Sequence, residues 1–265
     1  TILTARPNSR KISTKRTSCA NDKISELIVS NNQKIKINRI LEEFKNRDKL
    51  QAYGLSNRRK ILLEGAPGTG KTFTASVIAS ELGVPLFVVQ MDKIVTKFMG
   101  ETSAKLRLVF EDIKKNIGVY FFDEFDAIGA NRSLDNEVGE ARRILNSFLQ
   151  FIEQDDSNSI IVAATNNHRL LDQALFRRFD DVIHYAMPKE EEIRVIFEKK
   201  LVSKYYKGKI NKSLIDAAIG LSQAEVINAC DDCFKSAILY DRCFNEHDLI
   251  TILNEKNIYS MGMEA

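Results

Sequence analysis

Eight consecutive residues, Gly65-Ala66-Pro67-Gly68-Thr69-Gly70-Lys71-Thr72, match G-x-x-x-x-G-K-[ST], the spacing of a phosphate-binding loop. Glycines let backbone N–H groups turn inward around phosphate oxygens, and the positive end of a following helix adds to that field. Lys71 has the reach for β- and γ-phosphates, and the Thr72 hydroxyl is a hard oxygen ligand for Mg²⁺. Further along, Val119-Tyr120-Phe121-Phe122 runs straight into Asp123-Glu124. Beside a phosphate loop, the first acid suits the orientation of Mg²⁺ or its waters. The second, Glu124, suits polarising a water for attack on the γ-phosphate. A third polar group, Asn166, follows Ile160-Ile161-Val162-Ala163-Ala164-Thr165. It reads either as a γ-phosphate sensor or as a plain turn residue. A nucleoside triphosphate with Mg²⁺ is the expected ligand.

These groups need elements to hold them. Ile61-Leu62-Leu63 before the loop reads as a buried strand, and Thr72 to Leu82 as a helix ending at Gly83. Leu86–Val89, Val119–Phe122, Ile160–Ala164 and Val182–Tyr185 read as four more strands. Helices marked by Leu106, Val109, Phe110 and Ile113, and by Ile144, Leu145, Phe148, Leu149 and Ile152, fall between them. Alternation of this kind predicts an α/β fold, a parallel sheet with helices on both faces. Ile37, Ile40, Leu41 and Phe44 predict a helix over residues 33–47, and Ile24, Leu27 and Ile28 a short amphipathic one before it. Residues 92–100 read as a loop. After Pro188 only helical spacing remains, in four stretches. The expected organisation is a basic flexible arm and short helix over 1–30, a nucleotide-binding domain over 31–188 and a helical lid domain over 189–265.

Composition narrows the classes. With 265 residues, 44% hydrophobic and 28% charged, the chain has the makeup of a globular protein with a real core. No apolar run reaches membrane-spanning length, so no membrane segment is expected. Net charge is +3, but residues 1–23 carry +5, leaving about −2 for the rest. The basic charge belongs to the arm, so a nucleic-acid surface is not expected. The arm, rich in Ser, Thr, Arg and Lys, predicts little fixed structure over residues 1–20, with a transit peptide as the alternative. Four cysteines do not make a disulfide framework; reduced thiols in a cytoplasmic protein are expected. Cys230, Cys233, Cys243 and His247 have the residue types of a zinc site. Cys230 and Cys233, however, share an apolar helical stripe with Val226, Phe234 and Ala237, and core packing is the better reading.

Taken in order, the loop at 65–72, Phe121-Phe122-Asp123-Glu124-Phe125-Asp126, Ala163-Ala164-Thr165-Asn166-Asn167 and Leu171–Asp180 make the chain resemble an AAA+ ATPase of the core AAA clade. The resemblance covers about residues 35–258. It implies a phosphate-loop NTPase with a five-stranded parallel sheet in the order 5-1-4-3-2 and an all-helical lid. It also implies Mg²⁺-dependent hydrolysis of ATP by a homo-oligomeric ring, usually a hexamer, that remodels a protein substrate. Arg177 and Arg178 match the arginines that reach into a neighbouring subunit's site, Phe73 joins the nucleotide-binding set, and Gln223 and Ala224 stand where the lid meets nucleotide. Lys97-Phe98-Met99 falls where these motors carry an aromatic pore loop; by composition alone Phe98 reads as core.

The chain departs from the family in two places. The arginine block is shortened, and Gln154-Asp155-Asp156-Ser157 lacks the Asp-Gly-Phe used for signalling between subunits. No substrate-recruiting domain is evident, which leaves room for a separate partner protein. An ATP-dependent switch or scaffold and a DNA-handling AAA+ protein are the alternatives.

Overall fold

Alternation along the buried strands builds the two faces of the sheet. On Val119–Asp123, Tyr120 and Phe122 point into one core and Val119 and Phe121 into another, as the two-residue period of a strand requires. The computed structural model describes residues 14–17, 22–94, 99–125, 135–166 and 176–262. Its elements are β1 (Thr14–Thr17), α1 (Asn31–Lys45), α2 (Arg47–Ala52), β2 (Lys60–Gly65), α3 (Lys71–Leu82), β3 (Leu86–Gln90), α4 (Met91–Ile94), α5 (Met99–Lys115), β4 (Val119–Asp123), α6 (Asp135–Gln154), β5 (Ile160–Thr165) and β6 (Asp181–Tyr185). Four lid helices follow: α7 (Glu190–Lys200), α8 (Lys212–Ala218), α9 (Gln223–Leu239) and α10 (Glu246–Gly262).

The sheet runs β1-β3-β4-β5-β2-β6, and its five main strands pair in parallel. Numbered among themselves, those five give the expected order 5-1-4-3-2. β2 and β5 lie in the middle, buried on both faces, which explains their unbroken apolar runs. One face carries α5 and α6 over an aromatic cluster of Phe110, Phe122, Phe125 and Phe148. The other carries α1 and α3, with Ile37, Ile40, Leu41 and Phe44 buried against the sheet. Ser30 starts α1 through a capping box, its backbone N–H donating to Gln33 Oε1 at 2.7 Å. The lid has its own core around Phe197, Leu214, Val226 and Leu249.

Several expectations change. Thr14–Thr17, expected to lack structure, forms a strand antiparallel to β3, with Lys15 opposite Val88. The edge of β3 offers unpaired backbone groups, and threonines suit a strand. No helix forms at Ile24–Ile28; a turn spans Ile24–Glu26, and Leu27 joins the sheet-side core while Ile28 packs on the lid core. Their spacing imitates a helix because neighbouring residues serve two different cores. The loop expected over 92–100 is helical at Met91–Ile94 and again from Met99, and α2 fills residues 47–52. Among the described residues, no helix is long and apolar enough to cross a membrane.

At the closed base of the sheet, the Arg59 guanidinium bonds the buried Asp155 carboxylate, which also accepts from Ser157 Oγ at 3.1 Å. Asp180 accepts the backbone N–H groups of Arg59 and Lys60, each at 2.9 Å. The Gln154–Ser157 stretch, without the family's signalling sequence, thus fastens the connection from α6 to β5.

Candidate functional site

The phosphate loop owes its shape to three glycines in the left-handed region: Gly65 (φ 152°), Gly68 (φ 72°) and Gly70 (φ 100°). At Gly65 even an alanine Cβ would stand 2.1 Å from the Tyr185 carbonyl of β6, so the loop leaves the sheet in contact with its neighbour. Behind it, Thr69 is buried and its hydroxyl donates to the Ala66 carbonyl at 2.8 Å. Lys71 Nζ donates to the carbonyls of Gly65 (2.7 Å) and Ala66 (2.8 Å). The α3 helix is pinned from the side by a 2.6 Å hydrogen bond between Thr74 Oγ1 and Tyr185 Oη, and burial pushes the Tyr185 hydroxyl up to about 12.

A cavity of about 400 Å³ opens over this loop. Pro67, Gly68, Gly70, Lys71, Thr72 and Phe73 form its floor, Asp123, Glu124 and Asn166 one wall, and Gln223, Ala224 and Ile227 the lid side. Residues up to 160 positions apart in sequence therefore meet at the C-terminal edge of one parallel sheet, where an open α/β sheet binds its ligands. Glu124 is exposed and itself left-handed (φ 52°), a conformation that costs about 1 kcal/mol or more for a residue with a side chain. The Asp123 carboxylate holds that turn by accepting the Glu124 N–H at 3.0 Å.

Of the expected nucleotide residues, Gly65, Ala66 and Thr69 shape the loop from behind and do not line the cavity. Ile227 lines it and was not foreseen, although it lies one helical turn after Gln223 and so shares its face. The lid contact is direct: the Ala224 N–H donates to the Gly68 carbonyl at 3.0 Å. A second cavity, about 470 Å³, lies against Leu27–Asn31, the end of β6 and the start of α7, and it shares Gln223 with the first. His184 lines it, with Nδ1 2.8 Å from the buried Glu64 carboxylate on the neighbouring strand.

Arg177 and Arg178 are elsewhere. Ile61 pairs with Asp181 and Gly65 with Tyr185, so the two arginines enter β6 at the sheet edge opposite the phosphate loop. A strand of this length separates them from it by on the order of 13 Å. Arg177 is exposed, and Arg178 bonds the Glu153 carboxylate. Lys97 and Phe98 lie outside the described residues, and Met99 begins α5.

Cys230 and Cys233 are buried in the lid core, where burial pushes their thiols up to about 12 and about 11. Among the described residues no group of three or more His, Cys, Asp or Glu side chains is placed to hold a metal ion.

The comparisons with known proteins agree with this geometry. Residues 61–187 match the model of the ATPase family associated with various cellular activities (AAA). An uncharacterized AAA family ATPase of Sinorhizobium fredii is 38% identical over 204 residues, 77% of this chain and 61% of that protein. The proteasome-activating nucleotidase of Sulfurisphaera tokodaii is 33% identical over 236 residues, 85% of this chain and 60% of its own. The ATP-dependent zinc metalloprotease FtsH of Mesoplasma florum is 34% identical over 198 residues, 72% of this chain and 30% of its own. The chain thus spans less than two thirds of these relatives' lengths. The crystal structure of the FIGL-1 AAA domain superposes with a TM-score of 0.70 at 23% identity, covering 89% of this chain and 84% of that one, and shares the fold. The loop and the strand-end acids lie within the residues that match the family, and this chain belongs to the AAA ATPases of the AAA+ superfamily.

Proposed function

We propose that this chain binds ATP with Mg²⁺ and hydrolyses it to ADP and phosphate, driving the remodelling or unfolding of a protein substrate by an oligomeric ring. The observation that carries the reading is the convergence of Lys71, Thr72, Asp123, Glu124 and Asn166 on one cavity. The donor set there fits the metal. The Thr72 hydroxyl and the Asp123 carboxylate are hard oxygen ligands, and two ligands suit an ion that keeps several waters and takes the rest from phosphates. Bound Mg²⁺ would supply neutralisation of the charge developing on the β- and γ-phosphates.

The chain's own residues would do the rest. Lys71 exchanges its loop carbonyls for phosphate oxygens. Glu124, exposed at the cavity wall, orients a water and accepts its proton as it attacks the γ-phosphate. Asn166 positions the same water from the next strand. Little covalent chemistry is asked of the protein, so positioning and charge stabilisation supply the acceleration. We place the phosphates in the cavity over the loop and the base in the second cavity, with Gln223 between them.

Names among the relatives, a nucleotidase and an ATP-dependent protease, support nucleotide turnover coupled to protein substrates. The ring is supported by the position of Arg177 and Arg178 at the sheet edge away from their own phosphate loop. Lys97, Phe98 and Met99 are proposed to grip substrate in the pore. Phe98→Ala would then keep ATP turnover and lose remodelling; a stability loss of ~3 kcal/mol would make Phe98 a core residue instead. Calorimetric titration tests the binding claim. Mg-ATP should bind the wild type and bind Lys71→Ala at least tenfold more weakly; equal affinities would overturn it.

A further inference from the structure

The stretch Leu27–Ser30 crosses between the two parts of the molecule. Leu27 and Val29 pack on the sheet-side core, whereas Ile28 packs on the lid core. Adjacent side chains thus point to opposite sides, as in extended chain. Its carbonyl at Ile28 faces the lid, and the Gln223 side chain donates to it from Nε2 at 2.8 Å. Because the partner is a carbonyl, the amide orientation is determined: Nε2 donates, and Oε1 points the other way. Oε1 lies toward the phosphate loop, 3.4 Å from where a Cβ on Gly70 would stand. Gln223 also borders both cavities. One side chain on the first turn of α9 therefore bridges the strap 27–30, the phosphate loop and the lid.

That first turn has little freedom of its own. Ser222 caps α9 through a capping box with Glu225, and its Oγ would be only 2.6 Å from a Cβ on Gly68. The Ala224 N–H holds the Gly68 carbonyl. The lid is thus fixed to the loop by backbone; the Gln223 amide fixes it to the strap, and just before the strap Lys199 Nζ donates to the Ser25 carbonyl at 2.6 Å.

We propose that Gln223 is a latch that ties the lid to the strap across the nucleotide cleft and so holds bound nucleotide in. This rests on the reading that a nucleotide spans the two cavities. A nucleotide lying across both must pass the Gln223–Ile28 bridge to leave, and the closed cleft is the state that binds it. Without the bridge the closed fraction falls, and the apparent dissociation constant rises by the same factor. One hydrogen bond of ordinary strength corresponds to about 3- to 10-fold. Gln223 acts here through the strap, as a positioning residue.

The test uses the full chain with Gln223→Ala and with Gln223→Met, which keeps the length and loses the donor. ADP affinity is measured by calorimetry, and hydrogen exchange is followed at the amides of residues 24–30. The latch requires an ADP Kd raised about 3- to 10-fold in both variants, with faster exchange at residues 24–30. The melting temperature of the nucleotide-free protein should stay within about 3 °C of wild type, because only a local opening is affected. A Kd within about twofold of wild type in both variants, or unchanged exchange in the strap, overturns the proposal. If the wild type binds no ADP, the nucleotide reading falls by itself. Strap exchange in the nucleotide-free variants then decides whether the bridge is a latch at all.

Discussion

The backbone N–H of Ala224, on the first turn of a lid helix, donates to the carbonyl of Gly68, at the heart of the phosphate loop. Two parts of the chain more than 150 residues apart thus share one hydrogen bond at the place where phosphates would lie. Gly68 makes the contact possible. It is left-handed, and a Cβ there would stand 2.6 Å from Ser222 Oγ and 3.1 Å from Ala224 Cβ. Gly68→Ala should therefore push the lid off the loop. Backbone strain alone costs about 1 kcal/mol or more, so the melting temperature should fall by a few degrees. ATP affinity should fall at least tenfold, measured by calorimetry. A variant with wild-type affinity would show that the lid contact is incidental.

Arg177 and Arg178 precede β6 while the phosphate loop follows β2, its parallel neighbour, at the other end. If the arginines serve a neighbouring subunit, specific ATPase activity should rise with protein concentration. An arginine brought to a γ-phosphate is worth ~10³–10⁵ in rate, so the Arg177→Ala/Arg178→Ala double variant should be nearly inactive. Mixed with inactive Lys71→Ala chains, it should regain activity through composite sites. Concentration-independent turnover with no rescue would assign Arg178 only its structural bond to Glu153.

Asp155 and Asp156 are adjacent acids with opposite fates. Asp155 is fully buried against Arg59, whereas Asp156 is exposed and meets Lys114 at 2.8 Å in solvent. Removing one partner of a buried pair strands the other, so Asp155→Ala should cost about 3 kcal/mol or more in urea unfolding. Asp156→Ala should leave the midpoint almost unmoved. Equal effects would contradict the assignment of Asp155 as the fastening of β5 to β2.

The lid thiols respond to pH in a definite direction. Burial raises the pKa of Cys230 to about 12 and of Cys233 to about 11, so both stay protonated at neutral and mildly alkaline pH. The thiolate is the reactive form, and neither group offers it until pH approaches those values or the lid unfolds. Cys243 is exposed. Native labelling with iodoacetamide at pH 8, mapped by peptide mass, should modify Cys243 and spare the other two. Modification of Cys230 in native protein would place it outside the lid core.

Much of this was legible in the residues. Four apolar residues followed by Asp123-Glu124 mark a buried strand opening at a sheet edge, and Gly-rich spacing before Lys71 marks the loop, because both patterns follow from local geometry. The family resemblance supplied the strand order, and the pairings bear it out. What stayed hidden depends on distant contacts. Thr14–Thr17 is a strand only because β3 leaves an edge to pair with. Leu27 and Ile28 mimic a helix because they serve two cores that no local pattern announces. Asp155 looks like any solvated acid until Arg59, 96 residues away, is placed beside it.

Glu124 stands at the cavity wall in a left-handed turn held by the Asp123 carboxylate, and the role proposed for it is to activate water without gripping the nucleotide. The most direct measurement is steady-state phosphate release from Mg-ATP by the wild type and by Glu124→Gln, alongside calorimetric ATP affinity for both. The expected result is turnover by the wild type and a loss of at least 100-fold in Glu124→Gln, with ATP affinity preserved within about threefold. Wild-type turnover in Glu124→Gln would contradict the account, as would a wild type that binds ATP and releases no phosphate at any protein concentration.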